Sequence, residues 1–492
     1  MIAQLLIFCF QSRFSCLDLV VEKFLVIFLT NAYICNIIGD EEVVKVRKDI
    51  VILGGGPAGL LTAATAKKNF PDKSVLLVRK EEVGMVPCGI PYIFSTIGNV
   101  EGDILGLDNF KKLGVEFLFE EVMDVDFSSK KVKTASGKEI EYDKLVLALG
   151  SKPIIPRIEG IDLEGIFPVS KYKSDLEKIF SYLKKSKKVV IVGGGFIGVE
   201  VGDEIRKQGK DVTIVEALDH LLPTAFDPEF GELLEKNLAE KGVKIFTNRK
   251  VTKFVGSGKV EKVVLEDGKE LEADIVLISI GYRPNVDLVK DKGIRMSEGG
   301  GIWVDEYMRT SIPDVFAVGD CAEHRCFFTR RPSKLMLAST ATFEARIAGT
   351  NLYGLKVFRR NKGTLGIFST SIEGLTLATA GMIEKVAKEE GFEYIVGEAT
   401  GIDRHPGTIP DKSQVKVKLL FSKVSLHLLG GQIAGGKSVG EMINILAMAL
   451  QTGATANDLF TLQIGTHPLL TAPPTAYPII SAAENALMKV KC

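Results

Sequence analysis

The chain has 492 residues, and its hydrophobic fraction of 46% and charged fraction of 25% are those of an ordinary globular protein. Lys and Arg balance Asp and Glu at 62 each, so the charge indicates neither a nucleic-acid partner nor an acidic surface as partner. The seven cysteines are scattered and form no Cys-x-x-Cys pair, which argues against a disulfide framework and predicts a reducing, cytoplasmic location.

Residues 1–45 are a hydrophobic N-terminal extension whose status the sequence leaves open. Its apolar stretch, residues 24–38, is shorter than the ~20 residues that a membrane-spanning helix needs. Neither a basic opening segment nor a cleavage site marks a signal peptide. Three alternatives remain: a start site assigned too far upstream, a membrane-associated segment, or an extension packed on the folded protein.

The first glycine-rich turn follows a run of β-branched residues at 50–53 and precedes an Ala-rich helix and a second strand at 74–78. The first glycine makes the turn, the second lets the backbone approach a pyrophosphate, and the third lets helix and strand pack closely. The pyrophosphate would then face the helix N-terminus. The predicted cofactor-binding residues of this turn are Gly54, Gly56, Pro57, Ala58 and Gly59.

Arg79 ends the second strand of this first unit, at the place where a carboxylate that binds an adenosine ribose is expected. Several alternatives stay open here. Glu81 or Glu82 binds the ribose instead, or Arg79 itself stacks on the adenine or meets a phosphate.

Cys88 lies between Pro87 and Gly89 in a short segment rich in proline and glycine. Such a setting is typical of a cysteine held rigidly where a loop meets a helix. A helix N-terminus lowers the pKa of a cysteine and makes it a nucleophilic thiolate. The alternative is a small, buried hydrophobic residue, but its place 29 residues after Gly59 favours the nucleophile.

A buried strand at 144–150 ends in Gly150, and a second β-α-β unit at 187–216 repeats the first. Another apolar strand at 274–281 ends in Gly281, so the two halves share one pattern. Two such units predict two bound dinucleotides and electron transfer between them. The predicted cofactor-binding residues of the second turn are Gly193, Gly195, Phe196, Ile197 and Gly198.

Glu216 ends the second strand of the second unit. A carboxylate there accepts both hydroxyls of an adenosine ribose and repels a 2′-phosphate. Ala217 and Leu218 follow, with no Arg nearby, so NADH is predicted in preference to NADPH. The alternative is a glutamate that faces solvent at a strand end.

Cys321 and Cys326 have four residues between them, including His324. They could form a second redox pair, but three ligands within six residues are too few to predict a zinc site, and no metal is expected. After about residue 364 the pattern changes to short alternating strands at 414–421 and 428–434 and a helix from Ser438, which indicates an α+β segment.

Taken together, these motifs resemble the two-dinucleotide-binding flavoprotein disulfide reductases. The resemblance is closest to their single-cysteine branch of coenzyme A disulfide reductases, NADH oxidases, NADH peroxidases and NAD(P)H sulfur oxidoreductases. It rests on the two glycine turns, Cys88–Tyr92, Glu200, the motif at 281–285 and the motif at 310–320. The resemblance implies FAD at the first turn, NADH at the second, and Asp320, which follows Gly319, on the ribityl chain of the flavin.

This sequence departs from the family pattern at several places that bear on the substrate. Val83 and Ile93 occupy the positions where dithiol members have a second cysteine, so Cys88 would cycle through a mixed disulfide, a persulfide or a sulfenic acid. His467 resembles the C-terminal acid–base histidine of the dithiol reductases, although Ala472 falls where its Glu partner would be. The peroxidases' His near the first turn is replaced by Pro57-Ala58.

We therefore predict an α/β fold with two Rossmann-like dinucleotide-binding domains, for FAD and NAD, and a C-terminal α+β interface domain. The FAD domain would comprise residues 48–158 and 287–355, the NAD domain residues 159–286, and the interface domain residues 362–492. A homodimer would pass electrons from NADH through flavin to Cys88 and on to a disulfide, CoA-disulfide or polysulfide. The alternatives are an NADH oxidase that reduces dioxygen and a flavoprotein electron carrier or redox sensor.

Overall fold

A computed structural model describes residues 45–359 and 363–490. The N-terminal extension predicted at residues 1–45 lies outside these ranges except for its last residue. No helix in the described ranges has the length and apolar character needed to cross a membrane.

The strands belong to six sheets and are, in chain order, β1 (Lys45–Leu53), β2 (Val75–Arg79), β3 (Val115–Phe119), β4 (Val122–Asp126), β5 (Lys131–Thr134), β6 (Glu139–Leu147), β7 (Ser151–Pro153), β8 (Ile166–Pro168), β9 (Lys188–Val192), β10 (Asp211–Val215), β11 (Lys244–Phe246), β12 (Val251–Val255), β13 (Lys262–Leu265), β14 (Glu270–Glu272), β15 (Ile275–Ile278), β16 (Tyr282–Pro284), β17 (Val315–Ala317), β18 (His324–Arg325), β19 (Pro332–Ser333), β20 (Ile367–Ile372), β21 (Leu375–Gly381), β22 (Tyr394–Ile402), β23 (Gln414–Ser422) and β24 (Leu428–Gly435).

The α-helices are α1 (Pro57–Asn69), α2 (Asp108–Lys112), α3 (Lys173–Leu183), α4 (Phe196–Arg206), α5 (Pro228–Glu240), α6 (Ala338–Asn351), α7 (Glu384–Glu389), α8 (Val439–Thr452), α9 (Ala456–Phe460) and α10 (Pro478–Met488). Short 3₁₀ turns occupy Ile90–Phe94, Glu101–Asp103, Gly319–Cys321 and Pro474–Ala476.

Two parallel sheets carry the glycine turns. In the first, β3, β2, β1, β6 and β17 are parallel, and the antiparallel strands β5 and β4 extend its far side. The second is a parallel sheet in the order β11-β10-β9-β15-β8. The central strand of each sheet, β1 or β9, leads directly into a glycine turn and a helix, as the sequence predicts.

The duplication predicted from the sequence extends to individual hydrogen bonds. The first turn begins with a bond of 2.8 Å from the Gly54 amide to the Val78 carbonyl, and the second with the same bond from Gly193 to Val215. The apolar parts of the central strands, residues 50–53 and 189–192, are almost fully buried, as expected for parallel sheets that are covered on both faces.

The C-terminal segment forms an antiparallel sheet in the order β20-β21-β24-β23-β22, with α8 and α10 packed against it. The predicted fold class is therefore confirmed. The strands predicted at 414–421 and 428–434 and the helix from 438 are present within a residue or two of their predicted bounds. The antiparallel strands β4, β5 and β12–β14 are short and half-polar, and they were not predicted from the sequence.

Candidate active site

One cavity of about 1560 Å³ is lined by residues of both glycine turns. It exceeds the about 300–1,000 Å³ of an ordinary small-molecule pocket, so it has room for more than one ligand. Strand β20 of the C-terminal sheet also reaches its wall. The predicted site residues that line it are Gly54, Gly56, Pro57, Ala58, Arg79, Cys88, Gly150, Gly193, Gly195, Phe196, Ile197, Glu200, Glu216, Gly281 and Asp320.

Four predicted site residues do not line this cavity: Gly59, Gly198, Gly319 and His467. Gly59 and Gly198 instead lie where the helix packs closely against the start of each glycine turn. A Cβ atom on Gly59 would lie 1.9 Å from the Gly54 carbonyl oxygen, and one on Gly198 would lie 2.0 Å from the Gly193 oxygen. These glycines therefore allow helix and strand to approach, which is the role predicted for the third glycine of each turn.

The glycine turns fit bound dinucleotides. Gly54 and Gly193 have φ angles of +116° and +109°, so each turn needs a residue without a side chain at its start. At Gly56 and Gly195 a Cβ atom would meet nothing within 4 Å, because both positions face open space. That space lies at the N-termini of α1 and α4, where a pyrophosphate would be held.

Glu216 is buried and points back toward the second glycine turn. Its Oε2 accepts a hydrogen bond of 2.7 Å from the Gly194 amide, and its Oε1 accepts one of 2.8 Å from the Leu218 amide. The carboxylate is thereby fixed at the cavity wall, beside the turn, where a ribose-binding acid is expected.

The sequence around Glu216 contains no Arg, and none was expected near it, but the fold brings one to the same cavity. Arg249 and Lys250 line the same cavity, and the Arg249 amide donates to the Glu216 carbonyl at 3.0 Å. They come from the loop before β12, more than thirty residues further along the chain, so the sequence around Glu216 gave no sign of them. The Arg249 guanidinium is engaged by Asp267, with Nε 2.8 Å from the carboxylate.

Arg79 occupies the equivalent place in the first unit. Its side chain lies across Gly55, where a Cβ atom would be 2.1 Å from the Arg79 Cδ. The guanidinium donates to the Glu82 carbonyl and lies 5.5 Å from the centre of the Phe119 ring. Of the two glutamates predicted as ribose-binding alternatives, Glu81 lines the cavity and Glu82 does not. Arg79 lines the cavity as well, so its predicted stacking on the adenine or contact with a phosphate stays a prediction beside Glu81.

Asp320 reaches the cavity because β17 and β6 are parallel neighbours that end at the same edge. Its Oδ2 accepts hydrogen bonds from Ser151 Oγ at 2.7 Å and from Lys171 Nζ at 2.9 Å. Burial alone would raise the pKa of Asp320, but the Lys171 ammonium and the Ser151 hydroxyl lower it overall. Asp320 is therefore a carboxylate, held in place by a cation that the sequence analysis missed.

Cys88 is exposed to the cavity just before the 3₁₀ turn Ile90–Phe94. Burial by the surrounding groups and the Glu200 carboxylate raise the pKa of the Cys88 thiol, and the Lys171 ammonium offsets only part of this. The sequence predicted a lowered pKa for the Cys88 thiol. That prediction is wrong, because the protein groups around Cys88 raise its pKa. A five-residue 3₁₀ turn has few aligned peptide dipoles, and the Glu200 carboxylate acts in the opposite direction.

No other cysteine of the described residues lines this cavity. Cys321 is fully buried, and its Sγ lies 3.3 Å from both the Leu147 oxygen and the Leu149 nitrogen. Burial raises the pKa of Cys321 to about 12, so it is an inert thiol. Cys326 is partly exposed and is not bonded to Cys321, so the pair is not a disulfide here.

His324 is buried with its Nε2 3.3 Å from Glu344 Oε1. Burial favours the neutral imidazole, but the Glu344 carboxylate raises the pKa of His324 to about 9. Glu344 also accepts a hydrogen bond of 2.8 Å from the Gly319 amide. This pair therefore supports the segment that carries Asp320.

Glu200 lies on α4, one turn beyond the second glycine turn, and lines the cavity. Its Oε1 accepts a hydrogen bond of 2.8 Å from Thr370 Oγ1 on β20. Burial raises the pKa of Glu200 to about 7, and the hydrogen bond from the Thr370 hydroxyl offsets only part of this increase. Phe196 stacks on Phe368 of the same strand, with ring centres 4.9 Å apart, so β20 is firmly joined to the second dinucleotide unit.

His467 is exposed in the loop between α9 and α10, away from the cavity of its own subunit. Its backbone amide donates to Thr471 Oγ1 at 2.9 Å, and its Nδ1 accepts from the Leu469 amide at 3.2 Å. The neighbouring Leu469 and Leu470 are 53% and 66% exposed. The loop is therefore ordered by its own hydrogen bonds and presents apolar side chains outward.

Comparisons with known proteins agree with this geometry. The pyridine nucleotide-disulphide oxidoreductase family matches residues 48–345, and its dimerisation domain matches residues 367–477. An NADH oxidase of Methanocaldococcus jannaschii is 33% identical over 460 residues, which cover 89% of this chain and 99% of the relative.

A CoA-dependent NAD(P)H sulfur oxidoreductase of Pyrococcus abyssi is 33% identical over 441 residues, covering 88% of this chain and 96% of the relative. Among solved structures, an NAD-dependent persulfide reductase from A. fulgidus matches with a TM-score of 0.83 and 32% identity, covering 90% of this chain and 83% of that one. The relatives thus include proteins named for oxygen chemistry and proteins named for sulfur chemistry.

Proposed function

This chain belongs to the pyridine nucleotide-disulphide oxidoreductase family and is an NAD(P)H-dependent FAD oxidoreductase, and we propose that it uses Cys88 as a single redox thiol to reduce a disulfide, CoA-disulfide or polysulfide. The first glycine turn would hold FAD, with Asp320 toward the ribityl chain. The second would hold NADH, with Glu216 toward the ribose. When bound, the flavin would relay two electrons from NADH to Cys88.

The observation that carries this proposal is the place of Cys88 between the two glycine turns. It shares the cavity wall with both, and no second cysteine of the described residues is there. A cysteine without a resolving partner forms its covalent bond with the acceptor itself. The acceptor would therefore be a molecule whose sulfur–sulfur bond can be opened by one thiolate.

Dioxygen reduction is the second candidate, and it is favoured by the relatives that are named NADH oxidases. In that case Cys88 would either cycle through a sulfenic acid, which is the first oxidation product of an exposed thiolate, or take no part in the reaction. A role as electron carrier or redox sensor, with no small acceptor, is less consistent with a thiol exposed to so large a cavity.

A homodimer is part of the proposal. The C-terminal segment matches the family's dimerisation domain and exposes several large apolar side chains. These exposed residues are Met448, Phe460, Leu469 and Leu470. Burying them in a symmetric interface would remove apolar surface from water and could bring His467 of one subunit toward Cys88 of the other.

Anaerobic reduction followed by a choice of acceptors tests the proposal. The enzyme is reduced with NADH under argon and mixed with polysulfide, CoA disulfide or oxygenated buffer, and flavin reoxidation is followed by stopped flow. We expect the fastest reoxidation with a sulfur acceptor, and loss of that reaction in Cys88→Ser with the flavin still bound. The matched control is Cys326→Ser, which lies outside the cavity. Equal sulfur reduction by Cys88→Ser would refute the proposal.

A further inference from the structure

We propose that Asp267 is a positioning residue for nucleotide choice: its carboxylate binds the Arg249 guanidinium and keeps that cation from binding a 2′-phosphate. Selection of NADH over NADPH would then depend on Asp267 as well as on Glu216. This inference rests on the proposed function only in placing NADH at the second glycine turn. It involves neither Cys88 nor the electron acceptor.

The loop that carries Arg249 is fixed alongside the strand end that carries Glu216. Strands β10 and β11 are parallel neighbours, and the Glu216 amide donates to the Phe246 carbonyl at 2.8 Å where both strands end. The Asn248 amide then donates to the Leu218 carbonyl at 2.7 Å, and the Arg249 amide donates to the Glu216 carbonyl at 3.0 Å. Arg249 therefore lines the same part of the cavity wall as Glu216.

The Arg249 side chain is held by two acceptors of the protein. Its Nε donates to Asp267 Oδ2 at 2.8 Å, and its Nη1 donates to the Asn248 carbonyl at 2.9 Å. A guanidinium binds a phosphate through pairs of N–H groups in a fixed fork. While Asp267 holds the Nε, this donor of Arg249 is not available to a phosphate.

Asp267 is itself fixed in the turn between β13 and β14. Its Oδ1 accepts a hydrogen bond of 3.1 Å from the Lys269 amide. The Lys269 ammonium lies 4.4 Å from the centre of the Phe246 ring, so the turn is joined to β11. The hydrogen bond from the Lys269 amide lowers the pKa of Asp267, and the Arg249 guanidinium adds to this effect. Asp267 is therefore negatively charged at neutral pH.

Three carboxylates and two cations meet at this end of the cavity. Glu216, Arg249 and Lys250 line it. Asp267 and Glu266 do not, although Glu266 Oε1 accepts a hydrogen bond of 3.3 Å from the Lys250 amide. The excess of negative charge disfavours a 2′-phosphate. Neutralising Asp267 would remove one negative charge and would also free the Arg249 guanidinium, which is the kind of group that accommodates a 2′-phosphate.

The test measures nucleotide binding to the oxidised, FAD-loaded enzyme. Adenosine 5′-monophosphate and adenosine 2′,5′-bisphosphate differ only by a 2′-phosphate, and titration calorimetry gives the Kd of each. Asp267→Asn should bind the bisphosphate about three- to tenfold more tightly than the wild type does, with an unchanged Kd for the monophosphate. The Asn side chain keeps an oxygen for the Lys269 amide, so the turn is retained.

A double variant shows whether Asp267 acts through Arg249. The gain in bisphosphate affinity should disappear when Asp267→Asn is combined with Arg249→Met. The matched control is Glu270→Gln, which removes a carboxylate from the same small sheet. Glu270 pairs with Lys262 at 2.6 Å, with an exposure similar to that of the Arg249 and Asp267 pair, and lies outside the cavity. This control should match the wild type with both nucleotides.

Anaerobic flavin reduction gives a second readout, since the ratio of its rate with NADPH to that with NADH should rise in Asp267→Asn. The inference is overturned if Asp267→Asn leaves the bisphosphate Kd unchanged, or if the gain persists without Arg249. Failure of both nucleotides to bind to the wild type would contradict the proposed NADH site itself. Sulfur reduction that survives in Cys88→Ser would overturn the proposed use of Cys88 and leave this inference standing.

Discussion

Glu216 Oε2 accepts a hydrogen bond from the Gly194 amide at 2.7 Å, which fixes a carboxylate against the second glycine turn. At the equivalent place of the first turn, the Arg79 side chain lies across Gly55. The two units share their strand register and turn hydrogen bonds but carry opposite charges at the position that meets an adenosine ribose. This difference is where the two units would distinguish their dinucleotides.

The first prediction concerns the choice between NADH and NADPH. Replacing Glu216→Ala together with Leu218→Arg removes the carboxylate and adds a cation beside the exposed edge of the cavity, next to Arg249. The ratio of kcat/KM for NADPH to that for NADH should rise by about tenfold or more, which corresponds to about 1.4 kcal/mol. Leu218→Lys alone is the control, because it keeps the carboxylate that repels a 2′-phosphate. A wild-type enzyme that already prefers NADPH would contradict the prediction.

The fold and much of the site could be predicted because their signals are local. A glycine turn is one continuous stretch of sequence, and its strand and helix follow immediately. The same is true of Cys88, whose neighbours Pro87 and Gly89 mark a rigid segment, and of Asp320, which the family resemblance identified. All three features line the cavity that contains both glycine turns.

The residues that the sequence did not reveal come from distant parts of the chain. Lys171 donates a hydrogen bond to Asp320, which lies 149 positions away in the sequence. Thr370 likewise donates one to Glu200, 170 positions away. Arg249 reaches the Glu216 site from a neighbouring strand loop, which is why the expectation of no nearby Arg failed. The electrostatics of Cys88 depend on such neighbours too, and therefore the direction of its pKa shift was wrong from sequence alone.

The second prediction concerns a buried cation between the second dinucleotide unit and the C-terminal sheet. Lys418 is 3% exposed, and its Nζ lies 2.9 Å from Asp227, 2.5 Å from Glu229 and 2.5 Å from Glu384. Lys418→Met would leave three carboxylates together without their cation. The free energy of unfolding should fall by about 3–5 kcal/mol, measured by urea denaturation.

The control for that variant is Lys423→Met. Lys423 pairs with Glu393 at 3.1 Å, but both side chains are mostly exposed. A surface pair contributes about 0–1 kcal/mol, so this variant should unfold almost as the wild type does. Similar losses in the two variants would show that Lys418 has no special structural role.

The third prediction concerns Asp103, whose buried carboxyl packs against Gly89, directly after Cys88. A Cβ atom on Gly89 would lie 1.8 Å from Asp103 Oδ1, and Oδ2 has no hydrogen-bond partner among the described residues. Burial raises the pKa of Asp103 to about 6, above the value of an unfolded Asp. The folded state therefore favours the protonated acid.

The sign of the pH effect follows from this shift. The stability that protonated Asp103 provides is present below about pH 4 and is lost as the pH rises through about 6. Asp103→Asn should stabilise the protein by on the order of 2 kcal/mol at pH 8 and should give no advantage at pH 4. Thermal unfolding at the two pH values measures this, and an equal effect at both would contradict it.

The fourth prediction concerns His467, which lies outside the cavity of its own subunit but beside the exposed Leu469 and Leu470. In a symmetric dimer each active site would combine Cys88 of one subunit with His467 of the other. We therefore expect a dimer by light scattering. His467→Gln should slow reoxidation by polysulfide while leaving flavin reduction by NADH unchanged, because the imidazole would act only on the sulfur step.

Hybrid dimers distinguish an active site that is shared between subunits from a purely structural role of His467. A dimer of one Cys88→Ser subunit and one His467→Gln subunit contains one site with both wild-type residues and one site with neither. It should recover about half of the wild-type sulfur reduction, although each homodimeric variant is impaired. The two subunits can be given different affinity tags, coexpressed and purified in sequence to isolate the hybrid. If the hybrid is no more active than the mean of its parents, or if the enzyme is an active monomer, His467 belongs to its own subunit's loop and the protons of the sulfur step come from within the cavity.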